Sequence, residues 1–267
     1  MRGATSSVRK GVACILLSAF GFALMAMFVR LADGCGGSPL PAPQKAFFRN
    51  IVAAAIAAWV FFRRRDAVDP RKAMPCRGRD WFDLSMRALS GTCGIFANFY
   101  AISHIPVGDA MALNKTAPFF TLLLSWALIG ERITLRQSLC VSGAFAGAAY
   151  AFLHKLGRAG VDGAFIILFF SVFSCVACLP FFVLNHTPMN AMQLAALLGA
   201  GAGAAMGQFG ITWAYRFAEP RQIAVYDYVG IIFAAALGFI AFGQVPDALS
   251  FLGFAAIISM GAVLHRL

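Results

Sequence analysis

The chain has 267 residues, 60% of them hydrophobic and 12% charged, with a mean hydropathy of +0.77. Soluble domains average roughly 45–50% apolar and about 25% charged, so these proportions exclude a water-soluble globule and make lipid the solvent of most of the surface. The formal charge of +11 does not point to nucleic acid, because eight of the 22 Lys and Arg crowd into Arg63–Arg87, the pattern of a cytoplasmic loop rather than of a basic binding face.

A membrane-spanning helix needs about 20 mostly apolar residues. The first such run, Gly11–Ala32, follows Arg2, Arg9 and Lys10 and has no small-residue cleavage site. It reads as a retained signal-anchor helix behind a cytoplasmic N-terminus, residues 1–10. Further apolar runs follow at Lys45–Phe62, Leu84–Ser103, Gly108–Ile129, Gln137–Leu153, Asp162–Leu184, Met192–Phe217, Gln222–Phe242 and Ala248–Leu264, separated by short turn-rich loops. The expected architecture is an all-α polytopic membrane protein of about nine transmembrane helices. Most of the seven Cys fall inside these runs and read as small buried hydrophobes, Cys175 and Cys178 included.

Basic residues orient the first four helices. The N-terminus, the Arg63–Arg87 stretch and the loop with Arg132 and Arg136 belong inside, and the His104 loop belongs outside. Beyond Gln137–Leu153 the rule reverses. A simple nine-helix count puts Lys155, Arg158, Arg216, Arg221 and Arg266 outside, while the loops at Asn185 and Gln244, which lack Lys and Arg, fall inside. The charges therefore require residues 160–267 to be inverted relative to that count. Either one helix has been lost, or Gln137–Leu153 does not fully cross; the sequence leaves both open.

A weak internal repeat fits the same picture. At an offset of 114, Phe99–Gly147 aligns with Trp213–Gly261, pairing Pro106 with Pro220 and Ala110 with Ala224. Two similar halves of opposite preferred orientation are the arrangement of inverted-repeat transporters.

The segment Phe96–Gln137 carries an Ala101, Ile105-Pro106, Ala110 turn, then Pro118-Phe119 and Gly130-Glu131-Arg132-Ile133. It resembles the third and fourth helices of an EamA-type transporter of the drug/metabolite transporter superfamily, and the stretch from Ala214 to Asp247 is a similar second copy. The resemblance covers nearly the whole chain. It implies an inverted-repeat bundle of ten helices around a central cavity, with one helix here lost or merged in Leu135–Gly160. The resulting division is a first repeat over 11–136, a merged or atypical helix and basic loop over 137–160, and a shortened second repeat over 161–267. The implied activity is transport of amino acids, vitamins, nucleoside-like compounds or drugs.

Ionisable groups inside an apolar span cost roughly 2.5–3.5 kcal/mol on insertion scales and usually line a cavity or find a partner. Lys115 lies well inside the Gly108–Ile129 run, and Asp227 occupies nearly the repeat-equivalent position. Both are expected to face a midplane cavity, as substrate contacts or as each other's counter-ion, with a purely structural ion pair as the alternative. Polar handles on the neighbouring runs are Asn98, Tyr100, Asn114, Gln208, Trp213, Tyr226 and Tyr228, suited to orienting a ligand or to interhelical hydrogen bonds. Arg49 reads as an attractor for anions at the outer mouth or as a snorkelling residue. Arg87 and Arg30 read as anchors at opposite faces, Asp109 as a helix cap, Glu131 as interfacial, and Trp126 as an interface-belt residue. Gly199, Gly203 and Gly207, and likewise Gly143 and Gly147, have the four-residue spacing of close helix contacts.

No nucleotide loop, hydrolase elbow or metal-ligand spacing occurs, so neither an enzyme, nor a cofactor, nor an ATP-driven pump is expected. The expected function is secondary active transport of a small organic metabolite across the bacterial inner membrane by alternating access, coupled to a proton or sodium gradient or to exchange. The alternative is a non-transporting relative or membrane scaffold. The expected partners are the substrate and the lipid bilayer, with a homodimer left open.

Overall fold

The structure is a computed structural model that describes residues 2–64, 74, 75, 77–115, 152, 153, 156, 159–218, 220–248, 250–256 and 259. Their regular structure is helical, and there is no strand among the described residues. In chain order the helices are α1 (Arg2–Gly34), α2 (Ala42–Arg64), α3 (Gly78–His104), α4 (Val107–Lys115), α5 (Gly163–Leu184), α6 (Ala191–Phe217), α7 (Pro220–Asp227) and α8 (Val229–Phe242). Residues 250–256 add a further helical stretch.

Local chemistry explains where these helices stop. After α1 the chain passes through Gly36 and Gly37 at φ +70° and +130°, values open to glycine, and Pro41 precedes α2. Pro106 separates α3 from α4, and Gly243, at φ +64°, ends α8. Asp162 caps α5, its Oδ1 accepting from Ala164 N at 2.8 Å and Phe165 N at 3.3 Å. Asn190 and Gln193 form a reciprocal capping box on α6, with Gln193 N donating to Asn190 Oδ1 at 2.7 Å and Asn190 N to Gln193 Oε1 at 3.1 Å.

Five described helices, over Ser7–Gly34, Ala42–Arg63, Gly163–Leu184, Ala191–Phe217 and Val225–Phe242, are long and apolar enough to cross a membrane. Helix α3 has 27 residues but carries Arg79, Asp80, Asp83 and Arg87, which lower its hydropathy. Three expected boundaries move. Helix α1 starts at Arg2 rather than Gly11, and α3 at Gly78 rather than Leu84. The expected Gln222–Phe242 run is broken at Tyr228, where Tyr228 N donates to Val225 O and Ile231 N to Tyr228 O in tighter three-residue turns. Most of Gln137–Leu153, the second part of Gly108–Ile129, and Trp126, Glu131, Gly143 and Gly147 lie outside the described residues.

The core is built on α1 against α6, with α2 against α5 and α6, and α8 against α1 and α4. Glycines set the α1–α6 seam. A β-carbon on Gly21 would lie 2.6 Å from Gly207 N, one on Gly203 2.9 Å from Gly21 O, and one on Gly210 2.8 Å from Cys14 O. Gly199 faces the Phe28 ring at 3.1 Å by the same construction. Helices this close gain dispersion contacts that lipid tails cannot supply, and Ser18 Oγ crosses the seam to Gly207 O at 2.7 Å.

The two ends of the bundle are chemically distinct. At one end, Val8 and Val12 pack with Leu84, Val161, Ile166, Ala214 and Ala218, Trp81 meets Phe165, and Arg216 lies 3.6 Å from Asp162. The starts of α1, α3 and α5 therefore share that end with the finish of α6. At the opposite end, Gln44 bonds Thr187 O at 2.8 Å, Asn190 Nδ2 bonds Cys35 O at 3.0 Å, and Gln244 Oε1 accepts from Val107 N at 3.2 Å. Helix α5 thus begins at the end where α1 begins. That is the inversion of residues 160–267 that the basic residues require.

Candidate functional site

At the Gln44–Gln244 end, a cleft of about 630 Å³ opens between α1, α2, α3 and the tip of α8. Its floor is a buried ion pair. Lys45 Nζ lies 2.6 Å from each Asp33 carboxylate oxygen and donates to Ser103 Oγ at 2.7 Å. The Ser103 hydroxyl also lies 2.9 Å from Asp33 Oδ2. Arg30 Nη1 donates to the carbonyls of Ile102 at 3.0 Å and Ser103 at 2.6 Å. A cation at the end of α3 suits the negative end of its dipole.

Beneath this floor lies an apolar layer. Ala26 and Val29 on α1, Ala46 on α2, and Phe99 and Ile102 on α3 are fully buried in one cluster with Val107, Ala110 and Met111.

Below the layer is a second, smaller cavity of about 80 Å³, walled by α1 to α6. Arg49 from α2 and Arg87 from α3 enter it at 1% and 2% exposure. Their guanidinium carbons stand 6.0 Å and 4.4 Å from the centroid of the Phe170 ring, within the range of cation–π attraction for both. Arg49 Nη1 donates to Asn50 Oδ1 at 2.7 Å, and Arg87 Nη2 to Gln208 Oε1 at 3.1 Å. Asn98, Asn114 and Lys115 complete the polar wall, while Phe22, Met25, Ile95 and Met111 supply the apolar one. Lys115 Nζ donates to Asp227 Oδ2, at the break between α7 and α8. Asp227 Oδ1 is buried without a hydrogen-bond partner among the described residues.

Of the residues singled out in the sequence, Lys115, Asn114, Asn98, Gln208 and Arg49 therefore share one cavity, and Asp227 stands behind Lys115. The others go elsewhere. Tyr100 is 64% exposed, stacks on His104 at 4.2 Å and borders the outer cleft. Tyr226 is exposed, Tyr228 packs with Ala112, Ile231 and Phe254, and Trp213 packs beside Phe209 at 5.6 Å. Arg87 is not a cytoplasmic-end anchor: α3 begins early enough to put it roughly 14 Å along the helix at 1.5 Å per residue, inside the cavity. Arg49 is not at the outer mouth and does not snorkel, since the apolar layer lies between it and the cleft. Arg30 holds carbonyl groups of α3 instead of headgroups. Lys45, Asp33 and Phe170 were not singled out. An Asp and a Lys flanking a short loop between two apolar runs are a readable sign of a bridged helix pair; nothing in the sequence marks Phe170.

Residues 9–153 match the EamA-like transporter family. The pseudopaline exporter CntI of Pseudomonas aeruginosa (strain UCBPP-PA14) is 26% identical over 97% of each chain. A riboflavin transporter of Brucella anthropi is 25% identical over 68% of this chain and 75% of its own length. A solved crystal structure with 15% sequence identity superposes with a TM-score of 0.60 over 98% of this chain and 97% of that one, a likeness of fold.

Proposed function

Because this chain belongs to the EamA-like transporter family, we propose that it carries a small organic metabolite across the bacterial inner membrane by alternating access to the cavity around Lys115. The transporters named among its relatives include a metabolite exporter and a vitamin carrier, and this chain too is a multi-pass membrane protein of small-molecule transport type. The observation that carries the mechanism is the layered arrangement along α1, α2 and α3. An outer cleft of ligand size lies over an inner cavity of about 80 Å³, and a single apolar layer parts them.

In this reading the described conformation is closed over the central site. Opening the layer joins cleft to cavity; closing it and parting the opposite end delivers the substrate. The Lys115–Asp227 contact ties α4 to the α7–α8 break, and so ties the first repeat to the second across the position where such transporters place substrate and coupling ions. A proton or sodium gradient, or substrate exchange, drives the cycle. The end carrying Arg216 and the start of α1 is cytoplasmic, and the last helix returns the C-terminus to it.

Metabolite profiling of cells overproducing the protein tests transport. The expected result is a metabolite redistributed by the wild type and not by Lys115→Ala at equal membrane abundance. Undiminished activity of that variant rejects the central site. A C-terminal fusion to a reporter active only in the cytoplasm tests the sidedness, with a bright signal expected.

A further inference from the structure

We propose that the central cavity recognises an organic carboxylate, with Arg49 and Arg87 gripping the acid group. This deepens the transport reading and rests on it for the cavity's role. A cation buried among membrane-spanning helices is costly and as a rule functional, yet three of them, Arg49, Arg87 and Lys115, line one small space at 1%, 2% and 8% exposure. The two guanidinium groups arrive from different helices and converge on the same Phe170 ring. The bonds that aim them run to the neutral side-chain oxygens of Asn50 and Gln208. An amide oxygen orients a guanidinium without cancelling its charge. Two planar forks held this way match a carboxylate, which takes parallel N–H bonds from each. Asn98, on the same wall, has an amide able to donate to a carboxylate oxygen as well.

The size of the space favours the acid group over the whole molecule. A water molecule's share of the liquid is about 30 Å³, so a cavity of about 80 Å³ takes a carboxylate and its nearest carbons. The body of the substrate then lies along the apolar side formed by Phe22, Met25 and Met111, toward the layer that must open to admit it. An organic cation is repelled by the same three charges.

The test uses the purified full-length protein in detergent and calorimetric titration with matched acid and amide probes: phenylacetate against phenylacetamide, nicotinate against nicotinamide, and succinate against succinamide. At least one acid should bind at least about tenfold more tightly than its amide, the scale of a charge-assisted bidentate bond. Arg49→Gln with Arg87→Gln should abolish that preference. The single variants Arg49→Lys and Arg87→Lys, which keep the charge and guard against misfolding of the double variant, should reduce it severalfold because the fork is lost. If no acid is preferred to its amide, or the preference survives these substitutions, the proposal is overturned. Uptake of the same probes into proteoliposomes separates the two readings. Acid-selective binding without movement of any probe counts against transport alone, whereas movement that ignores the acid group counts against carboxylate recognition alone.

Discussion

Two lysine–aspartate pairs are set into this bundle, and they join different things. Lys45 and Asp33 link α2 to α1, neighbours in the chain that are already tied together by the short outer loop, and Ser103 braces both of them from α3. Lys115 and Asp227 link α4 to the α7–α8 break, far apart in sequence, beside a cavity with two further cations. The first pair adds to a contact that chain connectivity already favours. The second is the contact that two halves must change if they are to rock about a site between them. The same two residue types thus serve as a clamp in one place and as a candidate switch in the other, and neighbours rather than residue identity make the difference.

The comparison can be broken most forcefully at the centre. Asp227→Ala strands Lys115 in a low-dielectric site, and removing one partner of a buried pair costs about 3–5 kcal/mol. Denaturant unfolding in detergent should show that loss, together with loss of transport. Replacing both partners, Lys115→Met with Asp227→Leu, should bring stability back to within about 2 kcal/mol of the parent, because apolar replacement of a buried ion pair is often near neutral. Transport should stay absent; its return would make the central pair as structural as the outer one. Asp33→Asn leaves Lys45 with hydrogen bonds but no counter-charge and should cost about 1.5–3 kcal/mol. Uptake should remain within about threefold, under ~1 kcal/mol of barrier. A larger fall in uptake would give the outer pair a gating role. Ser103→Ala removes the brace alone and should cost about 1 kcal/mol, read as a small shift in the unfolding midpoint.

Where sequence reading succeeded and failed follows from what one dimension records. Lys115 and Asp227 were legible because a charge inside an apolar run is conspicuous and the repeat offset nearly superposes the two positions. Asn98, Asn114 and Gln208 were legible for the same reason, as amides in apolar surroundings. Arg87 was misread because Arg79, Asp80 and Asp83 depress the hydropathy of the first turns of α3, so the run seems to begin at Leu84 with Arg87 at its edge. In the structure those turns are helical, with Asp80 Oδ2 accepting from Arg77 N at 3.3 Å, and Arg87 moves inward. Arg49 was misread through the opposite assumption, that a charge near a helix start reaches for the headgroups. The aromatic candidates Tyr100, Tyr226, Tyr228 and Trp213 scattered because hydropathy carries no information about which face of a buried helix meets which neighbour.

The amino-acid sequence alone determined that this is a helical membrane protein. Apolar runs of spanning length leave no water-soluble alternative, because in hydrocarbon a backbone must satisfy its own hydrogen bonds. It also determined the sidedness conflict after Gln137–Leu153, since basic residues record the topology they had to obey. Only the tertiary structure decided which charges meet. The glycine seam sets how close α1 and α6 come, that approach fixes how the remaining helices turn, and a rotation of one residue is enough to move an arginine from lipid to cavity. That angle is a property of packed pairs of helices, and no single helix encodes it.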